Sequence, residues 1–330
     1  MRKFILTSIL SVSMTVAMAA DGAAPGEPGV KVTKPGAASA RSVMLDAVRA
    51  GKRIVAVGER GHVLLSDDDG ATFRQAAGVP LDLTLTSVSF VDDKEGWAAG
   101  HGGAILHTRD GGDHWEVQHL AAAADQPLFS VYFRDREHGW ASGLWSLLLA
   151  TADGGKTWTR VQLPTPAGQK RADLNLLQVF EGGGGRLFIS AEQGAVLASA
   201  DGGATWRYQA TGGAASLWAG TAGEGASAIV AGLRGKVFRS GDGGASWQAV
   251  AAPVEASVTH LAREGATLWA STVSGAVLRS TDDGRHWQVA QRYPSPVTAI
   301  LPLGGGRLLA FSKQGVLRQP EQGNAGARTQ

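Results

Sequence analysis

The chain of 330 residues contains no cysteine. That excludes disulfides, a thiol nucleophile, thiolate-held metal and a cysteine lipid anchor, and leaves burial as the source of stability. Tyrosine is scarce: Tyr132, Tyr208 and Tyr293 are the only three. The Phe/Tyr-Arg-Ile-Pro opening of sialidases is absent, and so is the Gly-x-Ser-x-Gly nucleophile elbow. The eight histidines are scattered and show no ligand spacing. His107 and His119 fall on or beside strands, where a satisfied core or surface histidine is expected. The glycine runs at 182–185 and 304–306 read as turns between strands, not phosphate loops. Neither sign of charge dominates, with 31 Lys+Arg against 29 Asp+Glu. Nothing in the total charge points to nucleic acid.

No long apolar run occurs beyond residues 4–16, which are too few to span a bilayer comfortably. They follow Arg2 and Lys3 and precede Ala17-Met18-Ala19, a small-x-small cleavage pattern. The reading is a secretory signal peptide over residues 1–19 and a periplasmic mature protein. Without Arg2 and Lys3 the charges balance, 31 − 2 = 29 against 29. Residues 20–41, rich in Ala, Gly, Pro, Lys and Ser, read as a flexible lead-in. Residues 42–319 form the folded domain and 320–330 a disordered polar tail.

What the chain has in abundance is repetition. Ser/Thr-x-Asp-x-Gly-x-x-Trp occurs six times, with aspartates Asp68, Asp110, Asp153, Asp201, Asp242 and Asp282. The aromatic anchors are Phe73, Trp115, Trp158, Trp206, Trp247 and Trp287, spaced 42, 43, 48, 41 and 40 residues apart. A period near 40 residues marks a repeat architecture. Each period holds four short alternating runs separated by Gly and Asp turns, which fits one four-stranded propeller blade. A box-free remnant after residue 287 supplies three further strands. The expected fold is therefore an all-β, seven-bladed β-propeller with Asp-box hairpins. Residues 30–34 (Val-Lys-Val-Thr-Lys) are the candidate closing strand of the last blade.

The box residues are expected to be structural. The carboxylate can accept N–H bonds of its own turn, the hydroxyl adds a second tie, and the Trp buries apolar area. Ser66-Asp67-Asp68-Asp69-Gly70 has the look of a calcium loop, but it lacks alternating oxygen ligands and a distal Glu. No metal and no cofactor are expected.

The signature at 87–115 reads Ser-Val-x-Phe-x-Asp…Gly-Trp-Ala-x-Gly-x-x-Gly-x-Ile-Leu-x-Thr-x-Asp-Gly-Gly-x-x-Trp. It resembles the Asp-box propellers of the photosystem II assembly and stability factor family, and weaker copies cover 43–318. The resemblance implies a seven-bladed, non-enzymatic assembly factor facing an extracytoplasmic compartment. Relatives in bacteria without photosystems often accompany resistance-nodulation-division exporters. The box is shared with sialidases and other glycosidases, so the alternative is a carbohydrate-active enzyme or a lectin. No carboxylate pair stands out for that chemistry, and no catalytic residue is nominated.

Alternating strand direction divides the molecule into two faces. The turns between second and third strands share one face with the links between blades; the boxes lie on the other. The link face should be basic and the box face acidic. Candidate partner-binding residues are Arg60, His101, Trp145, Lys170, Arg171, Arg234 and Lys313. Trp97, Trp140, Trp218 and Trp269 are assigned to second strands, and five more Trp to boxes, which leaves Trp145 alone off the repeat. An exposed Trp beside arginines is a typical interface anchor. The expected partner is a membrane-embedded or periplasmic protein.

Overall fold

The computed structural model describes residues 41–121, 126–168 and 170–317. The leader, residues 30–34 and the tail lie outside the described residues.

Seven antiparallel sheets follow one another along the chain, each built in sequence order. Blade one pairs Met44–Ala50, Arg53–Gly58, Val63–Ser66 and Arg74–Gln75. Blades two to six repeat this four-stranded pattern, their first strands being Leu85–Phe90, Leu128–Phe133, Leu176–Glu181, Leu217–Ala222 and Val258–Glu264. Blade seven has three described strands: Ala299–Gly304, Arg307–Ser312 and Gly315–Leu317. Each first strand touches the next, and the first strand of blade seven touches that of blade one. The seven-bladed propeller is thus closed.

The core lies between blades. Apolar clusters each join residues of neighbouring sheets, and the seam between blades seven and one is no exception. Met44, Ile54 and Leu64 pack there against Ala299, Leu309 and Phe311.

The first strands add a polar fastening that differs from seam to seam. Asp46 accepts the Val88 N–H at 2.9 Å, Ser87 that of Val131 at 3.3 Å and Ser130 that of Val179 at 3.1 Å. Gln178 accepts the Gly220 N–H at 2.7 Å. Arg263 donates to the Gly223 carbonyl, Thr259 to Val297 at 2.7 Å and Thr298 to Met44 at 2.5 Å. At least one such bond therefore crosses every seam.

One tryptophan departs from its expected place. Trp218 lies on the first strand of blade five, not on a second strand. The register of that strand shifts between Leu217 and Ala219, so Trp218 is the extra residue of a bulge. The second strand of the blade is Ala228–Gly232, which carries no aromatic.

Candidate functional site

The six boxes share one geometry. The leading hydroxyl, from Ser66 to Ser280, donates to its box aspartate at 2.8–2.9 Å. The same hydroxyl accepts the box glycine N–H at 2.8–3.0 Å. The aspartate also takes the N–H of the residue four positions on, at 2.9 Å in all six. That residue is Thr72, His114, Thr157, Thr205, Ser246 or His286, and its side chain donates to the second carboxylate oxygen. The sequence reading passed over this position, although its restriction to hydroxyl or imidazole was visible in the repeats.

The carboxylates are correspondingly acidic. The Thr or Ser hydroxyl, then its N–H, then the leading hydroxyl hold Asp68, Asp153, Asp201 and Asp242 down to about 2. At Asp282 burial opposes the charge, but the His286 N–H and ring and the Ser280 hydroxyl outweigh it, and the value is again about 2. The box aspartates are consumed in building hairpins. Trp115, Trp206 and Trp287 are buried beside them, each donating its indole N–H to a box glycine carbonyl.

Other carboxylates of the box face are tied up as well. Arg49 and Arg307 reach Asp69, Arg53 reaches Asp67 and Asp113, and Arg136 reaches Asp92. Arg239 pairs with the buried Asp283. Part of the face expected to be acidic is thus neutralised by arginines that reach the turns beside them, while Asp93, Glu137 and Glu224 are exposed without an ion pair among the described residues.

The axial channel forms a cavity of ≈ 420 Å³ lined by first-strand residues. Its carboxylates are engaged. Asp46 holds Val88, and Glu181 accepts from the Tyr132 hydroxyl at 2.7 Å and Arg134 at 3.0 Å. Burial, then the Glu181 contact, pushes the Tyr132 phenol above its ordinary range. A phenol held protonated is a poor nucleophile. His107 is also committed: it is 4% exposed, lies 2.7 Å from Glu95 and stacks on Trp97. His119 bonds the Gly103 carbonyl at 2.7 Å.

The link face is different. Arg60, His101, Trp145, Lys170, Arg171, Arg234 and Lys313 are all exposed. Arg171 pairs with Asp173 at 2.9 Å. Among the described residues Arg60, Lys170, Arg234 and Lys313 have no ion-pair partner within 4.0 Å. Arg60, Trp145, Gln193 and Arg234 occupy the middle of equivalent turns at φ of 53°, 55°, 58° and 56°. Gly102 stands there in blade two at φ 67°. Left-handed backbone disfavours any residue with a Cβ. Arg60, Trp145 and Arg234 nevertheless hold large side chains at these vertices, directed outward.

Trp145, 56% exposed, sits beside the long link of 161–175. Its N–H donates to Asn175 at 3.1 Å, and the Ser146 N–H to the Leu174 carbonyl at 2.7 Å. Trp145 is thereby tied to the end of that link, on which Lys170 and Arg171 are also exposed, while Arg60 and Lys313 lie on the adjoining blades one and seven. Arg234 stands on blade five. No cavity gathers the seven; they are distributed round the rim. At the start of the first strands, Phe129, Leu177 and Trp218 are half-buried on three successive blades. The sequence reading missed these because a bulge shifts the alternation by one residue.

The family model for the photosynthesis system II assembly factor YCF48 matches residues 75–227. No curated protein matches the chain by sequence. YCF48 from Cyanidioschyzon merolae superposes with a TM-score of 0.67 at 19% identity, covering 84% of this chain and 94% of that one. A structure of YCF48 bound to D1 peptide gives 0.67 at 20% identity, covering 86% and 94%. An ancestral GH74 enzyme gives 0.65 at 13%, covering 84% of this chain and 44% of its own. At such identities the structural likeness concerns the fold. The resemblance read from the repeat at 87–115 is borne out by the family match over the same blades.

Proposed function

We propose that this propeller is a non-catalytic scaffold that holds a segment of a membrane or envelope protein on its link face and assists that partner's assembly or stability. The observation that carries the reading is the set of strained, outward-facing turn residues Arg60, Trp145 and Arg234. Strain of this kind persists where a site uses it. A rigid disc presents them at fixed spacing, so recognition loses little conformational entropy. The half-buried Phe129, Leu177 and Trp218 add apolar area towards the axis. A YCF48 of similar fold has been solved with a D1 peptide, which supports protein capture as the use of this architecture. Export through a cleavable leader, residence in the periplasm and service to a resistance-nodulation-division exporter belong to the same reading.

A photo-crosslinking residue placed at Trp145 should capture a membrane or envelope protein in native cells. The same residue at Thr205, in a box on the opposite face, should not. Capture from Thr205 alone would overturn the assignment of faces. Turnover of chromogenic glycosides by the purified chain would replace the scaffold with the carbohydrate-active alternative. Amino-terminal sequencing of the protein from a periplasmic fraction tests the leader: a chain that still begins at Met1 removes it.

A further inference from the structure

We infer that the outer groove between blades four and five binds a small organic acid, whose carboxylate is clamped by Arg186 and Arg207. The groove opens toward the box face, away from Trp145. The seam between blades one and two supplies the template. There Arg53 opens a second strand and Arg74 a fourth. Both guanidiniums reach the carboxylate of Asp113, in the box of blade two. Arg74 donates to both of its oxygens, to one of them at 2.8 Å, and Arg53 donates at 3.0 Å. Arg53 also donates to the Gly111 carbonyl at 3.3 Å and forks onto Asp67 at 2.6 and 3.2 Å. The Arg74 guanidinium, ahead of Arg53, holds the Asp113 carboxyl below its ordinary range against the opposing effect of burial.

Blade four repeats the cations without the anions. Arg186 directly precedes the second strand Leu187–Ala191, and Arg207 opens the fourth strand Arg207–Ala210. The ladders fix the equivalence. Leu187 pairs with Ser199 as Ile54 pairs with Ser66, and Ala198 with Arg207 as Leu65 with Arg74. Arg186 donates to the Gly243 carbonyl at 3.2 Å, the counterpart of Arg53 on Gly111. Yet the box of blade five has Ala245 where that of blade two has Asp113. Blade four has Ala200 where blade one has Asp67. Both arginines are exposed, and neither has an ion pair among the described residues. Blades two, three, five and six carry Glu116, Thr159, Gln248 and Gln288 at the fourth-strand position. Among the described residues the arginine pair is therefore particular to blades one and four.

A cavity of ≈ 280 Å³ lies at this place, lined by both arginines with Ala198, Asp201, Thr205 and Gln209 among others. It is open because Ala198 stands where blades two, five and six have His107, Arg239 and Arg279. Asp201 does not neutralise the arginines: its oxygens accept from Ser199 and Thr205. The equivalent Asp68 likewise coexists with the clamped Asp113 in the template. A guanidinium fork matches the planar, two-oxygen carboxylate. That group is the one held between blades one and two, which favours it over a tetrahedral oxyanion. The volume falls at the small end of ligand pockets, about 300–1,000 Å³, and so selects a compact acid. Gln209 offers its amide to the remainder of the molecule.

Calorimetric titration of the protein at low ionic strength tests the site with succinate, its uncharged analogue succinamide and inorganic phosphate. Succinate should bind with a Kd below about 1 mM. It should bind about tenfold or more tightly than either succinamide or phosphate. Arg207→Ala, at an exposed position, should keep the parent Tm and weaken succinate by about tenfold or more. Ala245→Asp should refill the clamp as Asp113 does, abolish succinate binding and raise Tm by about 2 °C. Absence of succinate binding, equal affinity for succinate and succinamide, or a preference for phosphate overturns the proposal. So does succinate binding that is undiminished in Ala245→Asp.

Discussion

At the scale of single residues, the boxes convert sequence directly into geometry, because each hydrogen bond of the turn joins a side chain to a backbone or side-chain group at most four positions away. That locality is why the leading hydroxyl, the aspartate and the aromatic anchor were legible, although the hydroxyl or imidazole four positions beyond the aspartate was passed over. Trp206→Ala should cost about 3–5 kcal/mol, measured by denaturant unfolding, since it empties a buried inter-blade site. Acid sensitivity follows from the lowered carboxylates. Their folded values near 2 lie below the unfolded value of about 4, so their contribution is complete above pH 4 and is lost as pH falls from about 4 to 2. Asp201→Asn should lower Tm at neutral pH and flatten the melting curve's decline between pH 4 and 2. Equal acid slopes in the variant and the parent would contradict the assignment. Gly100 illustrates a requirement of another kind. Its backbone is extended, but a Cβ there would lie 2.0 Å from the Thr84 carbonyl. Gly100→Ala should therefore destabilise by about 1–3 kcal/mol in a urea melt.

At the scale of elements, the turns between second and third strands carry both strain and the candidate site. Replacing Trp145, Arg60 or Arg234 by Gly should relieve about 1 kcal/mol each and raise Tm by about 2–4 °C. Crosslinking of the partner from position 145 should fall in the Arg60 and Arg234 variants. A drop in Tm with undiminished capture would show that these side chains serve their own blades. The face on which these residues lie was legible, since strands alternate in direction and parity follows. Their left-handed conformation was not, because Arg and Trp have no preference for it and only the closed blade imposes it. Nor was the bulge that carries Trp218: an inserted residue leaves the apolar pattern intact on both sides while exchanging the faces. The partial neutralisation of the box face was not legible for a related reason. Its carboxylates were visible in the turns, but Arg53 meets Asp113 across a separation of 60 residues.

At the scale of the whole molecule, ring closure depends on a seam whose halves come from opposite ends of the chain. Phe311 is fully buried there with Met44, Ile54 and Leu64. Phe311→Ala should cost about 3–5 kcal/mol and make limited proteolysis begin in blade seven or blade one. First cuts in blades three to five would show that the seam is no weaker than the rest. The period told how many blades to expect, whereas the fastening between them lay beyond it, since the participating side chains change from blade to blade. The series of Asp46, Ser87, Ser130, Gln178, Arg263, Thr259 and Thr298 thus acts as a set of unlike keys. Each key meets a backbone group, so a missing or duplicated period would set a side chain of another length or hydrogen-bonding sense against its neighbour, which disfavours rings of six or eight blades.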